Sequence, residues 1–74
     1  MARAKLRTPE EERAAYAYLR TTDVAERLDC ETSHVTALIR SGQLRAINIG
    51  SKQRPEYRIH PDALAEFERE RAVA

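Results

Sequence analysis

The chain has 74 residues, 42% hydrophobic and 34% charged, with a formal net charge of +1 and one cysteine. That length holds one small core and leaves no room for a deep substrate cleft, and a single Cys30 excludes an internal disulfide framework. No apolar run approaches the length of a bilayer span, no apolar leader opens the chain and no repeat is visible, so a folded cytoplasmic domain is expected.

The small net charge hides a polarity. Arg3, Lys5 and Arg7 give residues 1–8 a charge of +3, whereas residues 9–31 carry −4. Residues 32–60 set Arg40, Arg45, Lys52, Arg54 and Arg58 against Glu56 alone and carry +4, and residues 61–74 carry −2. A basic middle between acidic flanks favours a polyanionic partner on one face; charge alone also allows a mixed, solvated surface.

In chain order, residues 1–8 lack periodicity and read as a flexible basic arm ahead of a single domain over residues 9–74. Thr8-Pro9-Glu10-Glu11 carries a helix start, with Thr8 as N-cap, proline at the first helical position and Glu11 placed for a capping box. This helix is expected to reach about Ala17, offering Ala14, Ala15 and Tyr18 for packing. Tyr18-Leu19-Arg20 follows as an extended lead-in. Thr21 or Thr22 then caps a short helix over Asp23–Leu28, whose Val24, Ala25 and Leu28 share one face. Asp29-Cys30-Glu31 makes a turn in which Cys30 is a small buried residue. In the next helix, Ser33–Arg40, the buried stripe is Val35, Leu38 and Ile39, and Gly42 ends it in a left-handed conformation.

Two strand-like runs, Leu44–Ile49 and Glu56–Ile59, are joined by Gly50-Ser51-Lys52-Gln53-Arg54-Pro55. Alternation predicts a basic β-hairpin with Ile47, Ile49, Tyr57 and Ile59 toward the core and Arg58 pointing away. His60-Pro61-Asp62 opens a last helix, in which Leu64 and Phe67 close the core. The predicted core is Val24, Leu28, Val35, Leu38, Ile39, Leu44, Ile47, Ile49, Tyr57, Ile59, Leu64 and Phe67. The fold class is α+β: a small winged helix-turn-helix domain with a two-stranded hairpin as the wing.

What stays outside that core points to double-stranded DNA. The outer face of the second short helix holds Ser33, Thr36, Ala37 and Arg40, with Thr32 at its start and His34 at its flank. A helix about 10–12 Å across fits a major groove about 12 Å wide. Arg40 suits a phosphate or a guanine edge, or is a solvated arginine at a helix end. Ser33 and Thr36 can donate to phosphates or bases, Ala37 can meet a thymine methyl, and His34 is either a phosphate donor or solvated. Lys52, Gln53 and Arg54 sit at the hairpin tip, where cationic side chains suit a minor groove or its phosphates. Thr22, Arg45 and Arg58 are backbone-contact or sheet-support candidates. No nucleophile–base pair, metal-ligand spacing or cofactor motif is present, so neither catalysis nor a cofactor is expected.

The run Tyr18-Leu19-Arg20-Thr21-Thr22-Asp23-Val24-Ala25-Glu26-Arg27-Leu28, then Val35, Leu38-Ile39-Arg40-Ser41-Gly42-Gln43-Leu44 and Ile49-Gly50, resembles the excisionase-type helix-turn-helix family of the MerR superfamily. The Arg58 strand and the Pro61–Phe67 helix fit its closing pattern, so the resemblance covers about Tyr18 to Phe67. It implies a winged helix with the second helix of the motif in the major groove and the wing against a neighbouring minor groove. It also implies a phage excisionase (a recombination directionality factor) that loads on adjacent sites, bends DNA and assists an integrase. Two residues depart from the pattern: Asp29 stands where the family has glycine in the turn, and Glu31 where it has a capping serine. Glu31 either accepts from a cytosine amino group or points aside while Thr32 caps.

A small transcriptional repressor is the nearest alternative, and a protein-interaction adaptor using the acidic helices is the alternative of another class. The chain shows no sustained heptads, so a monomer that meets neighbouring protomers on DNA is expected.

Overall fold

The computed structural model describes residues 17–73; the basic arm and the helix expected over residues 9–17 lie almost wholly outside them. The described elements are α1 (Thr21–Leu28), α2 (Thr32–Arg40), β1 (Ile47–Asn48), β2 (Tyr57–Arg58) and α3 (Pro61–Glu70). They form a winged helix-turn-helix domain of three helices and a two-stranded antiparallel hairpin.

α1 starts earlier than the threonines suggest. Its N-cap is Arg20, whose backbone N–H donates to the Asp23 carboxylate at 2.9 Å. The acid three residues into the helix reaches back to close the first turn, and Thr21 and Thr22 become its first helical residues. At the other end Asp29 is left-handed, with φ 55°. That conformation brings the Cys30 N–H onto the Ala25 carbonyl at 2.9 Å and the Asp29 N–H onto Glu26 at 3.2 Å. Aspartate is one of the few side chains that tolerate this region, which explains how the turn forms without glycine.

α2 begins at Thr32 with Glu31 as a backbone N-cap whose side chain makes no cap bond. Thr32 is therefore inside the helix, and the expectation that it caps is corrected. Gly42 ends the turn at φ 83°, as its position predicts. The Gln43 and Leu44 N–H groups both return to the Leu38 carbonyl, at 3.0 and 3.1 Å, and this swings Leu44 into the core.

The hairpin is shorter than its apolar runs, and its phase differs from the expectation. Ile47 lies opposite Arg58 and Asn48 opposite Tyr57. Opposed residues share a face, so Ile47 and Ile49 lie on the Arg58 side and Ala46 on the Ile59 side. Ile47 and Ile49 are accordingly 46% and 54% exposed and leave the predicted core, while Tyr57 is only half-buried. Beyond β2, Ile59 exchanges both backbone hydrogen bonds with Leu19 at 2.8 Å, so the lead-in residue joins the sheet edge.

α3 has Pro61 at its first position and His60 as its N-cap, with His60 Nδ1 accepting from the Asp62 N–H at 3.0 Å. Ala63, Leu64 and Phe67 face inward, and the Arg71 guanidinium lies over the Phe67 ring at 5.0 Å from its centre. The core is Val24, Ala25, Val35, Leu38, Leu44, Ile59, Ala63, Leu64 and Phe67, with Leu19, Leu28, Cys30, Ile39 and Ala46 packed around it. Ala25 and Ala63 are members of this core, and Ile47 and Ile49 are not. A two-toothed ion pair, Arg27 to Glu68 at 2.7 and 3.1 Å, ties α1 to α3. The hydrogen bonds from Arg27 hold the Glu68 carboxyl below the usual glutamate range, and Glu68 raises Arg27 in turn.

The register makes a direct test. Ile59→Val, at a site with no exposed surface, is expected to destabilise by about 0.5–1.5 kcal/mol. Ile47→Thr, on the open face, should stay within about 0.5 kcal/mol. Urea midpoints at unchanged slope measure both; an Ile47 change costing as much as the Ile59 change overturns the register.

Candidate nucleic-acid interface

α2 turns Val35 and Leu38 inward and leaves Thr32, Ser33, His34, Ala37 and Arg40 exposed. Thr36 is half-buried, and its hydroxyl donates to the Thr32 carbonyl at 3.1 Å, so its proton is already used. The small, polar outer face anticipated from the 100° step of the helix is therefore present, with Thr36 retaining only acceptor capacity.

Beside this face runs a polar groove of about 420 Å³, lined by the start of α1 (Arg20, Thr21, Thr22), by Thr36 and Arg40 of α2, and by Pro55 to Arg58 of the wing. It brings together four of the anticipated residues, Thr22, Thr36, Arg40 and Arg58. Three arginines converge there with one acid, Glu56. The residue pattern does not mark Arg20 and Glu56 as site residues, because neither lies on the helix face or at the hairpin tip. Both reach the groove through the fold, Arg20 because it caps α1 and Glu56 because it precedes β2.

Arg58 is engaged. Its guanidinium donates to the Tyr57 carbonyl and to Glu56 Oε2, each at 2.9 Å. Arg45 lies elsewhere: it pairs with Glu66 of α3 at 2.8 Å and lines a separate, more apolar groove of about 640 Å³ with Tyr18, Leu44 and Ile47. Arg40, Lys52 and Arg54 form no ion pair with another described residue. The groove and the wing tip therefore present cations whose donors remain open to an anion.

The tip holding Lys52, Gln53 and Arg54 is built by two polar side chains. Asn48 Oδ1 accepts from the Gly50 and Glu56 N–H groups, both at 2.9 Å, while its Nδ2 donates to the Ser51 carbonyl at 3.2 Å. Ser51 Oγ accepts from the Arg54 N–H at 2.9 Å, and the Ser51 N–H meets the Arg54 carbonyl at 3.1 Å. A Cβ at Gly50 would collide with the Arg54 carbonyl oxygen, so glycine is required by the close approach. An asparagine two residues before a glycine is a turn signal that could have marked this device in the sequence.

Among the described residues no group of histidine, cysteine and acidic side chains is placed to hold a metal ion. No helix among them is long and apolar enough to cross a membrane.

Asn48→Ala is expected to release the tip while leaving the core closed. Amide hydrogen exchange should show Gly50 and Glu56 losing protection and Val35 and Leu64 keeping theirs. Uniform loss of protection would mean that Asn48 supports the whole fold.

A family model described as a helix-turn-helix domain matches residues 18–72, the stretch that contains all three helices and the wing. No curated protein and no solved structure matches the chain. The match begins at the lead-in strand, takes in both helices of the motif and ends just past α3, and on that extent the chain belongs to this helix-turn-helix domain family, whose fold is a DNA-binding one.

Proposed function

We propose that the protein is an excisionase of phage or mobile-element type: a winged-helix DNA binder with sequence preference that loads on adjacent sites, bends the duplex and helps an integrase to excise. The observation that carries the reading is the shared groove in which the start of α1, α2 and the wing set Arg20, Arg40 and Arg58 beside the open face of Ser33 and Ala37. A duplex laid along it meets α2 in the major groove and the tip cations Lys52 and Arg54 in the next minor groove. In this reading Ser33, His34 and Arg40, exposed on α2, address base edges. Thr22 and Arg58 suit backbone contacts, and Arg45 reaches DNA only if it leaves Glu66. Gln53 joins the tip contact. The protein acts by binding and not by catalysis. The excisionase role, the integrase and the MerR kinship rest on the resemblance of the Tyr18–Phe67 run.

With about five phosphates neutralised, log K should fall against log salt with a slope of about −4 to −5. Arg40→Ala should cost about 1–3 kcal/mol on a preferred site and relax preference at one position, whereas Arg54→Ala should weaken binding across sequences. A binding constant indifferent to salt would favour a protein-interaction adaptor.

A module of this size covers about 600–1,000 Å² on DNA, which limits affinity at one site and makes neighbouring copies useful. Glu66 and Glu68 are already paired within the chain, which leaves Asp62 and Glu70 as the acids of α3 outside those two pairs. Contact between these acids and a neighbour's basic wing is head-to-tail and leaves an open array. Sedimentation should find a monomer, and bending assays on one-, two- and multi-site fragments should show stepwise loading with increasing bend. A stable dimer saturating one palindrome would instead identify a repressor. Recombination assays with and without the protein test the excisionase role itself.

A further inference from the structure

Of the three arginines in the α2–wing groove, Arg58 alone is held by an acid of the same groove. Its partner Glu56 stands two residues away on one strand face, at 2.9 Å, and the two differ in burial: the Arg58 side chain is 20% exposed and Glu56 is 59% exposed. The second bond of Arg58, to the Tyr57 carbonyl, keeps the guanidinium beside the strand. A carboxylate and a phosphate ask the same thing of a guanidinium, two acceptor oxygens in its plane, so they compete for it. An ion pair this exposed is weak enough for a close phosphate to break.

We propose that Glu56 is a built-in competitor for phosphate. It occupies Arg58 until a closely fitted duplex displaces it, and so it sets the discrimination between preferred and random DNA. The inference rests on the reading of the groove as DNA-facing. A random duplex, held by the outer cations Lys52 and Arg54, does not come near enough to take Arg58 from Glu56, and the carboxylate, which would lose its partner if Arg58 turned to a phosphate, opposes closer approach. A duplex that fits α2 does come near enough, and Arg58 changes partner. Glu56 thus filters loosely held DNA without adding any contact of its own to the preferred site.

The test compares the full chain with Glu56→Gln on two probes, a random-sequence duplex and a duplex selected from a random pool by the wild-type protein. The backbone N–H of Glu56, which donates to Asn48, is unchanged by this substitution, and a thermal melt checks the fold; Glu56→Ala serves as a second variant. Glu26→Gln, which changes net charge equally at an exposed α1 position outside this groove, is the control. The expected result is about three- to tenfold tighter binding of random DNA, with a salt slope steeper by about one as Arg58 gains a phosphate. The selected duplex should gain less, so the specificity ratio falls. Equal gains on both probes, equal effects of Glu26→Gln, or no gain on random DNA would each overturn the proposal. Loss confined to the selected duplex would overturn it in favour of Glu56 as a base contact. If the wild type binds neither probe in a salt-dependent way, the DNA reading of the groove has itself failed.

Discussion

Ile59 sits where the two halves of the domain meet, and its position controls the rest. Its side chain is fully buried among the apolar faces of the helices, while its backbone is bonded on both atoms to Leu19. One residue thereby fastens the lead-in strand to the sheet edge and sets the parity of the hairpin. Once Ile59 faces in, Tyr57 takes the same side, Arg58 and Glu56 take the other, and Ile47 follows Arg58 outward. The groove between wing and α2 is a consequence: it has polar walls because the parity of β2 sends its charged residues there. A slip of one residue would bury Arg58 and Glu56 and expose Ile59, at a cost no domain with so small a core could sustain.

The parts legible in the sequence were those announced by backbone chemistry. Gly42 and Pro61 each ended or began an element for reasons contained in the residue itself. The helical stripe of Val24, Val35 and Leu38 followed from a 3.6-residue period. Period does not give phase for a short strand, however, and alternation alone therefore turns Ile47 and Ile49 the wrong way: only the partner strand says which way they point. The cap of α1 was hidden for a different reason. A threonine looks like a cap by type, yet the acceptor came from Asp23 three residues onward. The groove itself was only half legible. Arg40 lay on a predicted helix face, whereas Arg20 and Glu56 enter through contacts between elements far apart in the chain.

Charge is distributed by role more than by amount. Arg27 and Arg45 hold α3 through Glu68 and Glu66, so two basic residues act as struts on the side of the molecule built from α3. Each exposed pair contributes little alone, but together they neutralise acids that would otherwise repel a polyanion. What is left to face outward is a positive groove and tip on a chain whose net charge is only +1. Long-range attraction is therefore modest and orientation matters, since among the described residues Arg20, Arg40, Lys52 and Arg54 gather at the groove and the tip.

The bonding around Asn48 has a kinetic meaning. A six-residue connection that had to organise itself on a duplex would make each encounter wait for the tip to find its shape, and many collisions would end before it did. Here the Asn48 amide and the Ser51 hydroxyl hold Gly50, Arg54 and Glu56 in place within the protein alone. The ordering entropy of the tip is then already spent in folding. If the proposed docking holds, association becomes a matter of rigid docking, and differences between DNA sequences are expressed in how long the complex lasts more than in how quickly it forms.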